Sequence, residues 1–94
     1  MFAVVRRYQF DPNKKAEIDK KVKDSFVPLI KKSPGFVAYY WLSNDEGRGC
    51  SMSVFQDKAG AEQSVKGAAD YVAKNLAGLL HKPDVTMGPV TAHS

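Results

Sequence analysis

The fold is decided by residues 33–43, which read SPGFVAYYWLS. The first three, Ser33-Pro34-Gly35, end a helix, because proline interrupts helical hydrogen bonding and glycine permits the turn that follows. The residues after them are rich in aromatic side chains, which favour a strand from Phe36 to Ser43. A helix therefore ends and a strand begins within this stretch, and the neighbouring elements are assigned outward from it.

Upstream of this stretch the sequence predicts one strand and one helix. Residues Phe2–Phe10 alternate between two faces, as a strand does. Asp11-Pro12 supplies an N-cap and a proline that the first helical turn tolerates. From Asn13 the apolar residues recur every three or four positions, which predicts a helix. Pro28 is expected to kink this helix or to end its regular part, because an internal proline removes one hydrogen bond.

Downstream of it the sequence predicts a hairpin, a second helix and a last strand. Asn44–Gly49 has the composition of a tight loop, and Cys50–Gln56 alternates as a third strand. Asp57 is a suitable N-cap for a second helix that is expected to run to about Leu80. Asp84–Ala92 is predicted to be the fourth strand.

This order of elements, β-α-β-β-α-β, has a familiar solution. It predicts a ferredoxin-like α+β fold in which a four-stranded antiparallel sheet carries two helices on one face. The 94 residues are too few for two cores, so residues 1–94 are expected to form a single domain.

Composition and charge exclude several classes of protein. The net charge of +4 comes from scattered lysines, which argues against nucleic-acid binding. No apolar run approaches the length of a membrane span and no signal peptide is recognisable, so a cytoplasmic location is expected. Cys50 is the single cysteine, and no His, Asp or Glu set has metal-ligand spacing, so no metal site is expected.

Alternation along the strands assigns residues to the two faces of the predicted sheet. The expected helix-covered face holds Phe2, Val4, Tyr8, Phe36, Ala38, Tyr40, Leu42, Cys50, Met52, Val54, Val85 and Met87. The expected outer face holds Val5, Arg7, Val37, Tyr39, Trp41, Ser51, Ser53, Phe55, Thr86 and Val90. An aromatic outer face usually marks an interface, so a homodimer through Val37, Tyr39, Trp41 and Phe55 is predicted. An aromatic platform for a flat ligand is the alternative explanation of Tyr39, Trp41 and Arg7.

Arg6 is the most informative polar residue, because it falls on the helix-facing side of the first strand. One interpretation is a holder of an anion in a pocket, with Tyr8 and Tyr40 as hydroxyl neighbours and all three as catalytic candidates. The other interpretation is an arginine that reaches solvent at the strand end, or that pairs with Asp70 or Glu62.

Three further residues are candidates for ligand contact. Met52 is expected on the same helix-covered face as Arg6. Ser64 lacks a His or Asp companion, so it is expected to contribute a hydroxyl contact or plain helix surface. His81 follows the second helix, where a cation suits the helix C-terminus, and a base at the pocket mouth is the alternative.

Two junctions and the last strand resemble the antibiotic-biosynthesis-monooxygenase-like group of the dimeric α+β barrel superfamily. Residues 33–39 resemble its Pro-Gly-x-x-x-Tyr entry to the second strand. Residues 54–64 resemble its junction between the third strand and the second helix, and Gly88-Pro89-Val90 resembles its last strand.

The resemblance implies a function as well as a fold. Members include cofactor-independent quinone-forming monooxygenases, small-molecule isomerases and haem-degrading enzymes. The haem degraders use an Asn, a Trp and a His at positions that fall near Arg6, Ser64 and Lys74, and none matches. Many relatives also carry Glu-x-Trp where this chain has Ser53-Val54-Phe55.

The resemblance therefore favours a small-molecule-binding protein, as a cofactor-independent monooxygenase or isomerase that acts on a small aromatic or anionic substrate. No cofactor is expected. The alternative is a non-catalytic binding or assembly module whose aromatic sheet face serves only dimerisation.

Overall fold

The computed structural model describes residues 1–94 and has the predicted order of elements. Strands β1 (Phe2–Gln9), β2 (Phe36–Ser43), β3 (Arg48–Phe55) and β4 (Asp84–Pro89) form one sheet. The strand order is β2-β3-β1-β4, and every neighbouring pair is antiparallel. The ferredoxin-like α+β prediction is therefore confirmed.

The helices cover one face of this sheet. The first predicted helix consists of α1 (Lys15–Lys21), a π-helical segment (Val22–Phe26) and α2 (Val27–Ile30). The second predicted helix is α3 (Lys58–Asn75), whose N-cap Asp57 accepts a hydrogen bond from the Gly60 amide at 2.9 Å. None of the helices has the length and hydrophobicity that crossing a bilayer requires.

The first helix is interrupted before Pro28, as the sequence predicts. Pro28 has no amide hydrogen to donate, and the turn ahead of it is wide, with the Val27 amide bonded to the Val22 carbonyl. The Tyr71 hydroxyl donates to the Lys21 carbonyl at 3.2 Å, and the Lys21 ammonium donates to the Asn75 carbonyl at 3.1 Å. The π-helical segment therefore begins at a point where α3 binds the first helix.

The second helix ends at Asn75 rather than near Leu80, so the predicted boundary is wrong. Gly78 has a φ of +79°, a left-handed conformation that closes the helix end. Leu79 and Leu80 still pack on the core, and Leu80 forms an isolated bridge with Phe10. These two leucines fit the apolar spacing of the helix because they are buried, although they lie in a turn rather than in the helix. The fourth strand is also shorter than predicted, since it ends at Pro89 rather than at Ala92.

A β-bulge at Val37 reverses the predicted faces of β2 from Ala38 onward. Phe36 pairs with Phe55 but Ala38 pairs with Val54, so Val37 is an extra residue. One extra residue shifts the two-residue period, so every later side chain points to the opposite face. As a result, Tyr39 faces the helices and Tyr40 faces away from them.

The faces of β3 were also predicted wrongly, because they were assigned by polarity. Directly paired residues share a face, and β1 pairs Val4 with Ser53 and Arg6 with Ser51. Ser51 and Ser53 are 3% and 0% exposed, so the helix-covered face is partly polar.

The predicted dimer contacts Tyr39, Trp41 and Phe55 are therefore wrong. Phe55 is fully buried in the core, and the rings of Tyr39 and Trp41 pack beneath the first helix. Val37 alone among the predicted set is exposed on the outer face, at 43%.

Gly60 and Gly67 lie in the same helix but differ in their surroundings. A Cβ atom on Gly60 would lie 2.7 Å from the Pro34 carbonyl oxygen, whereas a Cβ on Gly67 would meet no atom within 4 Å. We expect Gly67→Ala to raise the free energy of unfolding by about 0.5–1 kcal/mol, since alanine loses less backbone entropy. Gly60→Ala is expected to lower it by about 1–3 kcal/mol through overpacking.

Urea unfolding followed by circular dichroism measures both changes, and each variant serves as the control for the other. An equal gain in stability for both variants would contradict this prediction, because it would show that the loop at Pro34 moves to accommodate the new methyl group without cost.

Candidate functional site

Arg6 is a buried charge without a charged partner. Its side chain points from β1 toward the helices, and the residue is 3% exposed. Nη1 donates to the Ser53 hydroxyl at 3.5 Å, which is a long and weak bond, and the buried Nη2 has no hydrogen-bond partner. The ion pairs of the protein are Lys15–Asp19, Lys20–Asp24 and Lys58–Glu62, so none involves Arg6.

The two alternatives for Arg6 are therefore wrong, since it neither reaches solvent nor pairs with Asp70 or Glu62. Burial lowers the pKa of its guanidinium, because the low-polarity surroundings disfavour the charged form. A buried cation with an unused donor is suited to receive an anion.

Tyr8 and Tyr39 stand beside Arg6 as neutral hydroxyl groups. Burial raises the pKa of Tyr8, and the Arg6 charge opposes this shift. Burial also raises the pKa of Tyr39 far above its ordinary value, and the neighbouring Tyr8 raises it further. Ser51 and Arg6 oppose that shift. Both phenols therefore stay protonated at neutral pH, where they can donate hydrogen bonds but cannot act as bases.

A small cavity, the sheet–helix cavity, lies between Arg6 and the helices. Its sheet side is formed by Arg6, Tyr8, Tyr39, Trp41 and Ser51. Its volume is about 20 Å³, which is room for about one water molecule.

Two open grooves lie on either side of this cavity. The α3–β4 groove has a volume of about 240 Å³, and Arg6 and Tyr8 belong to its lining. The Trp41 groove lies between the first helix and β2, has a volume of about 360 Å³, and contains Asp19, Tyr39 and Trp41 in its lining.

Trp41 is held between the sheet–helix cavity and the Trp41 groove. Its ring meets that of Tyr8 edge-on with a centroid distance of 5.9 Å, and its indole nitrogen donates to Asp19 at 2.9 Å. A Cβ on Gly49 would lie 2.5 Å from the Trp41 ring, so the indole lies directly on the backbone of β3.

Asp19 accepts two further hydrogen bonds, from the Ser43 hydroxyl at 2.6 Å and from the Lys15 ammonium at 2.9 Å. No local pattern predicts this cluster, because Trp41 and Ser43 lie 22 and 24 residues away from Asp19 in the sequence.

Some of the predicted site residues lie where they were expected, and others do not. Arg6 and Tyr8 are together, as expected. Tyr40 is 67% exposed on the outer face, so its predicted place beside Arg6 is wrong and Tyr39 stands there instead. Met52 is 43% exposed on the same outer face, so its predicted place is also wrong, because the inner face of β3 carries Ser51 and Ser53 instead.

Ser64 and His81 lie away from Arg6. Ser64 is buried in α3, where its hydroxyl donates to the Ala61 carbonyl at 2.6 Å, and it lines a separate groove beside Phe26. His81 is exposed and lines neither the sheet–helix cavity nor either of the two grooves, although its amide donates to the Gln9 carbonyl at 3.0 Å. No three His, Cys, Asp or Glu side chains are grouped so that they could hold a metal ion.

The Asp19 cluster predicts a pH dependence that Trp41 should report. Burial tends to raise the pKa of Asp19, but the hydrogen bonds from Ser43, Trp41 and Lys15 outweigh it, so the pKa is lowered. An aspartate in an unfolded chain has a pKa of about 3.9. The stabilisation is therefore present above about pH 3.9 and is lost as the pH falls through the lower pKa of the folded state.

Trp41 is the single tryptophan, so its fluorescence is expected to stay constant from pH 7 to about pH 4 and to change only below that. The matched variant Asp19→Asn should lack this acidic step and be less stable at pH 7. An identical acidic step in the variant would assign the change to other carboxyl groups.

Comparison with known proteins gives a family match and several structural neighbours. Residues 1–74 match the family model described as antibiotic biosynthesis monooxygenase. No protein of curated function matches the sequence.

A protein of unknown function from Nitrosomonas europaea superposes with a TM-score of 0.84 and is 23% identical, over 99% of this chain and 91% of that chain. SnoaB, a cofactor-independent oxygenase from Streptomyces nogalater, has a TM-score of 0.70 at 15% identity, over 98% of this chain and 94% of its own. A monooxygenase from Streptomyces coelicolor, solved in complex with nanaomycin D, has a TM-score of 0.69 at 18% identity, over 99% of this chain and 90% of its own. At these identities the neighbours show a shared fold.

Proposed function

Because the chain belongs to the antibiotic biosynthesis monooxygenase family, we propose that it binds a small aromatic molecule beside Arg6 and oxidises it with molecular oxygen without a cofactor. The observation that carries the proposal is the buried Arg6 guanidinium, whose Nη2 has no partner within the protein. Two structural neighbours are described as a cofactor-independent oxygenase and a monooxygenase, which agrees with this class of reaction.

The site residues suit a reaction through an ionised substrate. A bound phenol or enol next to Arg6 would ionise more readily, because a nearby cation favours the anionic form. Tyr8 and Tyr39 would donate hydrogen bonds to the same oxygen, since both phenols stay protonated. The electron-rich anion then reduces oxygen. For a substrate with an activated ring methylene, the overall reaction converts CH2 and O2 into a ring carbonyl (C=O) and H2O.

An oxygen electrode tests the proposal. The substrates are hydroquinones, naphthols and anthrones, with product carbonyl measured by mass spectrometry. We expect oxygen uptake matched by carbonyl formation, and at least a hundredfold loss in Arg6→Met (about 3 kcal/mol at 1.4 kcal/mol per tenfold). Arg7→Met is the matched control, because Arg7 is exposed on the same strand. Absence of enzyme-dependent oxygen uptake with every compound that binds would overturn the proposal.

One observation favours the second candidate, a non-catalytic binding or assembly module. The sheet–helix cavity holds about one water, so an aromatic ring must use an adjoining groove or displace side chains. Binding of ligands with no turnover of any of them would support this candidate.

We further propose that the protein is a homodimer whose partner packs on the outer face of the sheet. The supporting feature is an outer apolar patch, defined as Val37, Tyr40, Leu42 and Met52, which are 43%, 67%, 61% and 43% exposed. An exposed apolar patch on a sheet commonly marks an interface.

We also propose that residues 1–94 act as one domain in the cytoplasm, where Cys50 would remain a free thiol.

A further inference from the structure

We infer that the α3–β4 groove is the ligand site and that its ligand is a small aromatic carboxylate, with the carboxylate on Arg6. The inference rests on the proposed function, which places the ligand beside Arg6. It adds the groove through which the ligand enters, the negative charge of the ligand and its size.

Charge complementarity is the first argument. Arg6 is the only charged side chain in the lining of the groove, and its buried Nη2 lacks a partner. A guanidinium is positively charged before any reaction takes place. The ligand that compensates it best is therefore one that is already negatively charged in solution. Carboxylic acids are ionised at neutral pH, whereas phenols are not. Nη2 itself is covered by the surrounding side chains, so the ligand must shift a side chain of the lining to reach it. One carboxylate oxygen would then accept from Nη2 and the other from the Tyr8 hydroxyl.

The remaining lining of the groove is suited to a ring. The side chains beyond Arg6 and Tyr8 are apolar, and they include Val72 and Ala73 of α3 and Val85 of β4. The volume of about 240 Å³ is below the roughly 300–1,000 Å³ typical of drug-sized ligands. One or two fused rings are therefore the expected size.

The opposite side of the cavity is a poorer route. Trp41 separates the Trp41 groove from Arg6, since it lines both that groove and the sheet–helix cavity. It is fixed by its bond to Asp19 and by contact with the Gly49 backbone. The α3–β4 groove, by contrast, reaches Arg6 and Tyr8 without displacing this cluster.

Calorimetric titration with 2-naphthoate and benzoate, and with the neutral isosteres 2-naphthamide and benzamide, tests the inference. We expect at least one carboxylate to bind at least tenfold more tightly than its amide (about 1.4 kcal/mol), because a hydrogen bond to a charged acceptor is stronger than one to a neutral acceptor. Ala73→Leu, which fills the groove from an exposed position on α3, should abolish binding. Ala59→Leu is the matched control, since Ala59 is exposed on the same helix and lies outside the lining of the groove.

Each outcome decides the inference. Equal affinity for acid and amide, unchanged affinity in Ala73→Leu, or no binding of either acid at millimolar concentration would overturn it.

Failure of this inference can be distinguished from failure of the proposed function. Carboxylate binding without oxygen uptake by hydroxynaphthoates would overturn only the oxygenase. Turnover of neutral naphthols that Ala73→Leu leaves unchanged would overturn only the carboxylate site.

Discussion

Replacement of Arg6 by methionine is expected to make the ligand-free protein more stable. The guanidinium is buried, has no carboxylate partner, and makes one long hydrogen bond to Ser53. A buried charge in that state is costly. Even a buried ion pair can be replaced by apolar side chains of similar volume with a gain in stability of up to about 1–4 kcal/mol, and an unpaired charge is expected to favour the replacement further. Methionine is suited to this test because it is unbranched and fills irregular space.

A gain of this size should be visible in thermal unfolding. For a chain of 60–100 residues, each kcal/mol corresponds to a shift of roughly 4–8 °C in Tm. The measurement needs one fixed protomer concentration, because association would also shift the Tm. Arg7→Met is again the control, since its exposed side chain should change the stability by less than about 0.5 kcal/mol.

Stability and function are expected to change in opposite directions in this variant. If Arg6→Met were both less stable than the wild type and unaffected in ligand binding, Arg6 would be a structural residue. A loss of stability would mean that the Ser53 contact and the neighbouring tyrosines compensate the charge within the fold.

Substitution of Leu42 by lysine is the second change with a large expected effect, and it should convert a dimer into a monomer. Leu42 is 61% exposed in the outer apolar patch. In a two-fold symmetric dimer each substitution occurs twice, so two ammonium groups would enter one apolar interface. Loss of about 2 kcal/mol at each of the two positions corresponds to roughly a thousandfold weaker association.

Sedimentation equilibrium over a range of protein concentrations measures this change. Leu29→Lys is the matched control, because Leu29 is 49% exposed but lies on α2, away from the outer face. Circular dichroism should show that Leu42→Lys keeps its fold. A wild-type protein that sediments as a monomer at micromolar concentration would remove the case for the dimer.

The elements of this fold could be predicted from local patterns, and the faces of two strands could not. Strand β1 alternates regularly, so the inward position of Arg6 between Val4 and Tyr8 was correctly predicted. In β2 a single extra residue at Val37 reversed the assignment, and nothing in its composition marks a bulge. In β3 the inner face carries Ser51 and Ser53, so polarity indicated the wrong side.

The candidate site was predicted only in part, for a related reason. Arg6 and Tyr8 share one strand, and a two-residue spacing is enough to bring them together. Tyr39, Trp41 and Asp19 join them through pairing and packing between distant segments, which no local pattern encodes.

The extra residue in β2 gives this strand two usable registers. Deletion of Val37 would restore strict alternation and leave the observed faces unchanged, with Tyr39 and Trp41 inward and Tyr40 and Leu42 outward. Regular pairing of the full-length strand without the bulge would instead turn Tyr40 and Leu42 inward. The bulge thus decides which of the aromatic side chains line the cavity and which lie on the surface proposed for the partner. Among homologous chains, the length of the segment between Gly35 and Tyr39 would then matter more than which aromatic residues follow it. A sequence alignment with a chain that lacks the extra residue therefore needs a gap at Val37 in order to pair residues that lie on the same side of the sheet.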